Sequence, residues 1–418
     1  MTFLLLLSAH DVDDMTAQID VARQSLSALP ADHSPEELSS LLVSLVSSSV
    51  TRRIRSAVLG ANASELLSQL AVAVPVVSQR PVTVLAVPGM GTEHFCKAHL
   101  PALPRDVARL VSSIETPQDA SALMQRDIGA YQRMLFDVHL ALLDLLESRC
   151  GFVYDRVASF SAGEPTGAFV SGAVSASTAK ALNAAMANIN ALPIANKIAS
   201  TMVVAVRVPR SIVDSALARH GGEIGAIISP DLHAVCGHTT TMENVYADLT
   251  AVDKSFVKMT QLPVAFHSVI FEQFRAESDV AFADALKTQS IGDDSRRRPR
   301  VPWHSSIRGR AVDDSEVQQL VFWFDLMRRP SRAHEVMSTL TDADVFVELN
   351  CHRLYARTWA ELPRDRPFAF SGPLLELDTE EPVPQSLQLA QLTAKLWCAG
   401  CDLQTHRIGS SQQLPFLF

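Results

Sequence analysis

The most chemically suggestive stretch of the sequence runs from Val157 to Gly167, VASFSAGEPTG, and contains a serine that could act as a nucleophile. Apolar residues before Ser161 predict a buried strand and GAFVSGAV after it predicts a helix, so its hydroxyl would lie exposed on a strand-to-helix turn. Such a serine can form an acyl-enzyme when a histidine takes its proton. Ser161 and Glu164 also have the spacing of a capping box, in which both side chains accept hydrogen bonds from backbone amides at the start of a helix. The residues of this stretch alone leave both interpretations open.

The amino-acid composition is that of a folded protein with a substantial core. The chain has 418 residues, 47% of them apolar, which is enough for two or three packed units. Its formal net charge of -9 argues against nucleic-acid binding, which needs a surplus of Lys and Arg. No apolar run approaches the ~20 residues of a membrane span, so no membrane is expected as a partner, and Phe3 to Leu7 predict a first strand. The 6 cysteines are scattered, which favours free thiols and a cytoplasmic location.

The order of predicted strands and helices indicates an α/β fold. Residues 1–79 alternate strands with helices and predict a small N-terminal α/β domain. The run VTVLAVPGMG, which starts at Val82, predicts a buried strand that enters a tight loop. Strands and helices then alternate as they do in a parallel sheet, which predicts a core domain made of residues 80–199 and 264–375.

A different pattern interrupts this core domain. Residues 200–263 have the element order βαββαβ, which predicts an inserted ferredoxin-like subdomain. At the other end, residues 376–418 predict one more helix followed by an irregular tail.

Several motifs, taken in order, resemble the acyltransferase domain of polyketide synthases, which belongs to the malonyl-CoA:ACP transacylase superfamily. SFSAGE is similar to the family's GHSxGE, and PGMGTEH resembles its Gly-Gln-Gly-Ser-Gln loop. YQRMLFDVHLALLDLLES and VAFHSVIFE resemble QPALFAVQVALARLLES and HAFHSPLME, and FWFDLMRRPSR and FVELNCHRLY resemble YWxxNLRxPVR and FVEVGPHPVL. The first residues are similar to the linker between ketosynthase and acyltransferase, and LPFLF is similar to the linker that follows the acyltransferase. The resemblance therefore covers nearly the whole chain.

The resemblance implies an α/β-hydrolase-like core and a Ser-His acyltransferase. Ser161 would be the nucleophile and His267 its base, with an oxyanion hole formed by the backbone amides of Met90 and Ala162. Gln132 corresponds to the family's active-site glutamine. The reaction would carry an acyl group from acyl-CoA, through an acyl-serine, to the phosphopantetheine thiol of an acyl carrier protein. No cofactor would be needed, and a ketosynthase or other synthase domains could be partners.

The sequence departs from the family at the position that recognises a carboxylated substrate. Family members that use malonyl or methylmalonyl units have an arginine twenty-five residues after the serine, where this chain has Met186. No arginine occurs in residues 177–197. We therefore expect an apolar pocket for an uncharged, starter-type acyl group. A malonyl substrate stays open, because Phe266 and His267 lie in AFH, which resembles the malonyl-type motif.

Other departures raise the question of whether the site is active. Phe160 replaces the family's histidine, and Ser159 replaces the glycine that lets strand and helix pack closely. Pro165 removes an amide early in the following helix and could distort it, and Leu326 replaces the asparagine that would orient the histidine. Two alternatives to transfer therefore remain: a hydrolase that removes acyl groups from a carrier with the same serine, and an inactive scaffold domain of a synthase.

The basic cluster SRRRPRVPWHSSIRGR is either a solvated loop or a docking surface for CoA phosphates or an acidic carrier protein. Its candidate docking residues are Arg296, Arg297, Arg298 and Arg300.

No metal site is expected. The CAGC motif has no second pair, and strand alternation places His233 on the opposite face from Cys236 and His238.

Overall fold

A computed structural model of the chain describes residues 2–45, 52–90, 108–109, 112, 117–252, 257–260, 262–288, 298, 300–350, 353–375 and 385–403. Within these ranges the strands form three sheets. The strands are β1 (Phe3–Ala9), β2 (Ile54–Gly60), β3 (Val76–Val77), β4 (Thr83–Val87), β5 (Arg156–Ser159), β6 (Ser200–Val206), β7 (Glu223–Ser229), β8 (Leu232–His238), β9 (Val257–Met259), β10 (Trp303–Ser305), β11 (Arg310–Ala311), β12 (Val345–Glu348) and β13 (Phe370–Pro373).

The α-helices of the described residues lie between these strands and after the last of them. They are α1 (Val12–Ser27), α2 (Pro35–Leu45), α3 (Ala63–Val72), α4 (Pro117–Arg126), α5 (Ile128–Arg149), α6 (Glu164–Val170), α7 (Ala176–Ala195), α8 (Arg210–His220), α9 (Thr239–Val252), α10 (Arg275–Lys287), α11 (Asp314–Val317), α12 (Leu320–Arg328), α13 (Ala333–Ser338), α14 (Tyr355–Ala360) and α15 (Gln385–Cys398). None of the described helices is long and apolar enough to cross a membrane.

The N-terminal sheet is antiparallel and has the order β1-β2-β3. Strand β1 is buried along its whole length because both of its faces are covered. Alternate residues, such as Leu5 and Leu7, pack with α1, α2 and α3, whereas Leu4 and Leu6 belong to the core cluster that includes α15. The indole Nε1 of Trp397 on α15 donates to the carbonyl of Leu7 at 3.0 Å. The C-terminal helix thus packs on the N-terminal sheet.

The central sheet carries the predicted α/β core. Its order is β11-β10-β5-β4-β12-β13, and β10, β5, β4, β12 and β13 are all parallel, as expected. The short strand β11 differs, because it returns from β10 as an antiparallel hairpin partner. The carboxyl ends of β4 and β5 lie side by side, with Val87 paired to Ser159, so the loops that follow them meet at one edge of the sheet.

The inserted segment forms the predicted ferredoxin-like subdomain. Its antiparallel sheet has the order β7-β8-β6-β9, and α8 and α9 supply the helices of the βαββαβ unit. One face of the sheet packs against both helices through apolar residues that include Val203, Val235 and Val245. The chain returns from β9 to the central domain through residues 262–268, the segment that contains His267.

The apolar stretch from Val317 to Met327 forms parts of two helices rather than one. Helix α11 ends at Val317, and its carbonyl accepts a hydrogen bond from the indole of Trp323 at 2.8 Å. Gln319 then takes an extended conformation before α12 begins. This hydrogen bond satisfies a carbonyl at the end of the first helix.

Candidate active site

The nucleophile turn joins β5 to α6 through a 3-10 turn at Ser161–Gly163. Ser161 has a φ of 52°, a left-handed conformation that is uncommon outside glycine. The capping-box interpretation is wrong, because Phe160 is the N-cap residue of the turn and no side-chain hydrogen bond caps it. The Oγ of Ser161 instead lies 2.8 Å from Nε2 of His267. The strand-to-helix turn and a histidine partner are therefore both present.

His267 lies in the segment that returns from the ferredoxin-like subdomain, also with a left-handed φ of 58°. Burial lowers the pKa of its imidazole from 6.5 to about 4, although backbone groups of Leu326 and Arg329 partly oppose this effect. The ring is therefore neutral at neutral pH and can accept a proton. No side chain of the described residues bonds to its Nδ1, and the side chain at the family's asparagine position is the buried, apolar Leu326, so the groups that favour the protonated ring belong to the backbone of Leu326 and Arg329. The chain thus lacks a side-chain group that orients the ring through Nδ1 in the part described.

Glu164 is buried behind the nucleophile, where it accepts several hydrogen bonds. One carboxylate oxygen accepts from the hydroxyl of Ser159 at 2.6 Å, and the other accepts from the amide and hydroxyl of Ser306 at 2.8 and 2.7 Å. The Oγ of Ser306 in turn accepts from the amide of Ser161 at 3.0 Å. Burial raises the pKa of the Glu164 carboxyl to about 7, with the hydrogen bonds opposing the shift. The network holds the backbone of the nucleophile in its left-handed conformation.

The close packing of β5 and α6 depends on a glycine in the helix. Ser159, which replaces the family's strand glycine, also accepts a hydrogen bond from the indole of Trp303 at 2.7 Å. A Cβ added at Gly167 would lie 2.4 Å from the Cβ of Ser159. The glycine on α6 therefore makes room for the serine on β5. Pro165 lies in the first turn of α6, where no amide is needed, so the expected distortion is absent.

Phe160 faces away from the nucleophile. Its buried ring stacks on Tyr355 with 3.9 Å between centroids, and it belongs to the core cluster on the other side of the sheet. The family's histidine is thus replaced by a packing residue, and the contact between Ser161 and His267 is formed without it.

The loop after β4 approaches the nucleophile turn closely. A Cβ added at Gly89 would lie 2.8 Å from both the carbonyl oxygen of Phe160 and the Cβ of Ser161. Only a glycine permits this distance. Met90 and Ala162 line the same cavity as Ser161.

A partly open, mostly apolar cavity lies beside Ser161, and the space between its lining atoms, open solvent included, is about 220 Å³. Its lining brings together most of the predicted site: Met90, Ser161, Ala162, Met186, Asn190, Phe266, His267, Leu326 and Met327. No Lys or Arg contributes to this lining within the described ranges. Sequence reasoning missed Asn190 and Met327. Asn190 follows Met186 by one helical turn on α7, so the i, i+4 spacing could have identified it.

Gln132 does not line the cavity but contacts a residue that does. It is buried on α5, and its Oε1 accepts from Nδ2 of Asn190 at 2.5 Å. Its Nε2 donates to Oδ1 of Asn183 at 3.5 Å. The predicted active-site glutamine is therefore a support for Asn190.

The basic loop is described only in part, since Arg296 and Arg297 lie outside the described residues. Arg298 pairs with Glu147 and lies over the ring of Phe169 at 5.4 Å. Arg300 pairs with Asp314 and donates to the carbonyl of Ser171 at 3.1 Å. An anion at this loop would have to compete with these ion pairs.

In the described part of the chain, no group of three or more His, Cys, Asp or Glu side chains could hold a metal ion.

Comparison with known proteins relates the chain to polyketide synthases. No family model matches it. It is 25% identical over 229 residues to erythronolide synthase EryA2 of Saccharopolyspora erythraea, covering 54% of this chain and 6% of that protein. It is 29% identical over 236 residues to the PKS-NRPS hybrid synthetase acdB of Aspergillus candidus, covering 55% of this chain and 9% of that protein. The chain thus spans only a small fraction of the curated relatives it matches.

Solved structures with the same fold include several acyltransferase domains. The domain of ZmaA has a TM-score of 0.73 at 16% identity, covering 99% of this chain and 97% of its own. The domain of SpnD, in complex with 2-(pent-4-yn-1-yl)malonyl, has a TM-score of 0.70 at 21% identity, covering 96% of each chain. A loading acyltransferase of the avermectin synthase has a TM-score of 0.56 at 21% identity, covering 74% of this chain and 99% of its own. The chain therefore has the fold of polyketide synthase acyltransferase domains, which confirms the resemblance found in its motifs.

Proposed function

We propose that the chain is an acyltransferase that carries an acyl group from acyl-CoA to the phosphopantetheine thiol of an acyl carrier protein. The observation that carries the proposal is the 2.8 Å approach of Ser161 Oγ to His267 Nε2 beside a partly open, mostly apolar cavity. A neutral imidazole at this distance can remove the hydroxyl proton as the oxygen attacks. The similarity to polyketide synthases supports the acyl carrier protein as partner.

The reaction would proceed in two half-reactions. Ser161 Oγ attacks the thioester carbonyl while its proton moves to Nε2 of His267, and the amides of Met90 and Ala162 stabilise the oxyanion. The C–S bond then breaks, the CoA sulfur takes the proton from the imidazolium, and an acyl-serine ester remains. In the second half, the carrier thiol gives its proton to His267 and attacks the ester, which restores the serine hydroxyl. No cofactor takes part in either step.

The proposed acyl group is uncharged. Met186 lines the cavity at the family's carboxylate-binding position, and the described lining contains no cation. A free carboxylate there would lose its hydration without gaining an ion pair, which is costly in an apolar site. The fold neighbours include both a loading acyltransferase and a domain in complex with a malonyl compound, so fold alone does not favour either substrate class.

The proposed carrier dock is the basic loop, with Arg296, Arg297, Arg298 and Arg300 facing an acidic carrier protein or CoA phosphates. A ketosynthase or another synthase domain would be a further partner, and the cytoplasm the proposed location. The support for this assignment is the clustering of arginines in the sequence of a chain of net charge -9, and a bound anion would have to displace Glu147 from Arg298 and Asp314 from Arg300.

Intact-protein mass spectrometry tests the proposal. The protein is mixed with acetyl-, butyryl-, branched-chain and malonyl-CoA, and Ser161→Ala serves as the control. The expected result is a mass increase of one uncharged acyl group that is absent from the alanine variant and is discharged by a holo carrier protein. Discharge by water alone, with no transfer to the carrier, would indicate the hydrolase, and the absence of any adduct would indicate the inactive scaffold.

A further inference from the structure

Asn190 is a buried polar side chain in the mostly apolar cavity beside Ser161. It is 2% exposed and shares the cavity lining with Ser161 and His267. Its amide nitrogen has a hydrogen-bond partner, because Nδ2 donates to Oε1 of Gln132 at 2.5 Å. Gln132 is 1% exposed and is itself held by Asn183, so the Asn190 amide has a fixed orientation.

The carbonyl oxygen of Asn190 is left without a hydrogen bond. Oδ1 is buried and has no partner among the described residues. Buried polar atoms are nearly always satisfied, so an unpaired acceptor beside a nucleophile indicates that a ligand supplies the missing donor. The remaining side chains around the cavity, such as Met186, Phe266 and Leu326, offer no donor to it.

The chemistry of the missing ligand follows from this arrangement. A donor is needed, so a carboxylate or a ketone is excluded as the group that faces Oδ1. An ammonium group would be a donor, but the described lining offers it no carboxylate. A hydroxyl on a short, otherwise apolar chain satisfies both conditions, because it donates a hydrogen bond and carries no charge.

We propose that Asn190, oriented by Gln132, recognises a hydroxyl group on the acyl chain, so that the site selects short hydroxyacyl groups over unsubstituted and carboxylated ones. This inference rests on the proposed function, because it names the substrate class of the same cavity. A site built to bond a hydroxyl rejects the analogue that lacks it, since the buried acceptor is then left unpaired.

The experiment compares butyryl-CoA with its 2-, 3- and 4-hydroxy derivatives and with acetoacetyl-CoA. Binding is measured by calorimetry to the Ser161→Ala protein, and acylation is measured by mass spectrometry with the intact serine. We expect one hydroxy isomer to bind and acylate about tenfold better than butyryl-CoA, the effect of one hydrogen bond. Asn190→Leu should remove this preference for the hydroxy isomer, and circular dichroism checks independently that the variant is folded.

Asn188→Leu is the matched control, because Asn188 lies on the same helix but is exposed. This variant should keep the preference for the hydroxy isomer. Equal binding of butyryl-CoA and every hydroxy isomer, or the same preference in Asn190→Leu, would overturn the inference. A preference for acetoacetyl-CoA would also overturn it, because Asn190 would then present its donor to the cavity. A binding preference in Ser161→Ala without any acyl-serine in the intact protein would refute the proposed function and leave the recognition by Asn190 standing.

Discussion

Substitution of Gly167 by alanine should weaken the fold, and the loss should depend on Ser159. The added Cβ would lie 2.4 Å from the Cβ of Ser159, 2.7 Å from its Oγ and 3.0 Å from Nε1 of Trp303. Overpacking of this kind costs ~3 kcal/mol at its upper range. Replacing glycine inside a helix recovers ~1 kcal/mol. The free energy of unfolding should therefore fall by ~2 kcal/mol.

The double variant distinguishes this clash from a general sensitivity of the turn. Ser159→Gly alone should cost ~2 kcal/mol, because the indole of Trp303 and the carboxylate of Glu164 both lose a partner. In the double variant Ser159→Gly/Gly167→Ala the clash with the Ser159 side chain is absent, and alanine still stabilises the helix by ~1 kcal/mol relative to glycine. The free energy of unfolding of the double variant should therefore fall by only ~1 kcal/mol. The coupling energy is then ~3 kcal/mol.

Urea denaturation of the four proteins, followed by circular dichroism, measures this cycle. Losses that add to within ~0.5 kcal/mol would show that the two positions are independent. That result would refute the argument that the helix glycine compensates for the strand serine.

The remaining predictions concern the chemistry of the site. Acylation needs a neutral His267, whose pKa is lowered to about 4, so its rate in stopped-flow assays should stay nearly flat down to about pH 5, fall to about half at pH 4 and fall roughly tenfold per unit below that. A rate that falls near the ordinary histidine pKa of 6.5 would contradict this burial argument. The pKa of Glu164 is raised from 4.5 to about 7, so its contribution to stability is fully present below pH 4.5 and is lost as pH rises through 7. Glu164→Gln should make the melting temperature nearly independent of pH between about pH 4.5 and 7. If the melting temperature of the variant depends on pH as it does in the unsubstituted protein, the burial of Glu164 does not have the proposed effect on stability. Met186→Arg should raise acylation by malonyl-CoA relative to butyryl-CoA by about tenfold or more, because it adds a cation to the cavity. A ratio of malonyl to butyryl adduct that is the same as in the unsubstituted protein would contradict the role of this position.

Local sequence could predict the elements but could not distinguish two uses of the same spacing. Ser161 and Glu164 have the spacing of a capping box, yet Glu164 bonds to Ser306, which is 142 residues away in the chain. No local pattern contains that partner. The βαββαβ subdomain was predictable because each of its strands and helices has its own apolar period.

The candidate site was predictable where a motif fixes a position by counting. His267 and Met186 both line the cavity with Ser161, as the resemblance implied. Asn190 carries no motif, and its unpaired oxygen becomes visible only when α7 packs against Gln132 on α5. The sequence likewise did not show that Gly167 compensates for Ser159. The serine in place of the family's glycine indicated a packing defect, and only the structure shows that Gly167 on α6 leaves space for the serine side chain.

Ser161 and His267 both have left-handed backbones, with φ values of 52° and 58°. Each such residue stores ~1 kcal/mol or more, which the surrounding packing and hydrogen bonds must offset. Stability and activity consequently oppose one another at these two positions. Glycine at either position would remove the backbone strain, but it would also remove the hydroxyl or the imidazole. Selection for stability alone would therefore replace the two residues on which the proposed reaction depends.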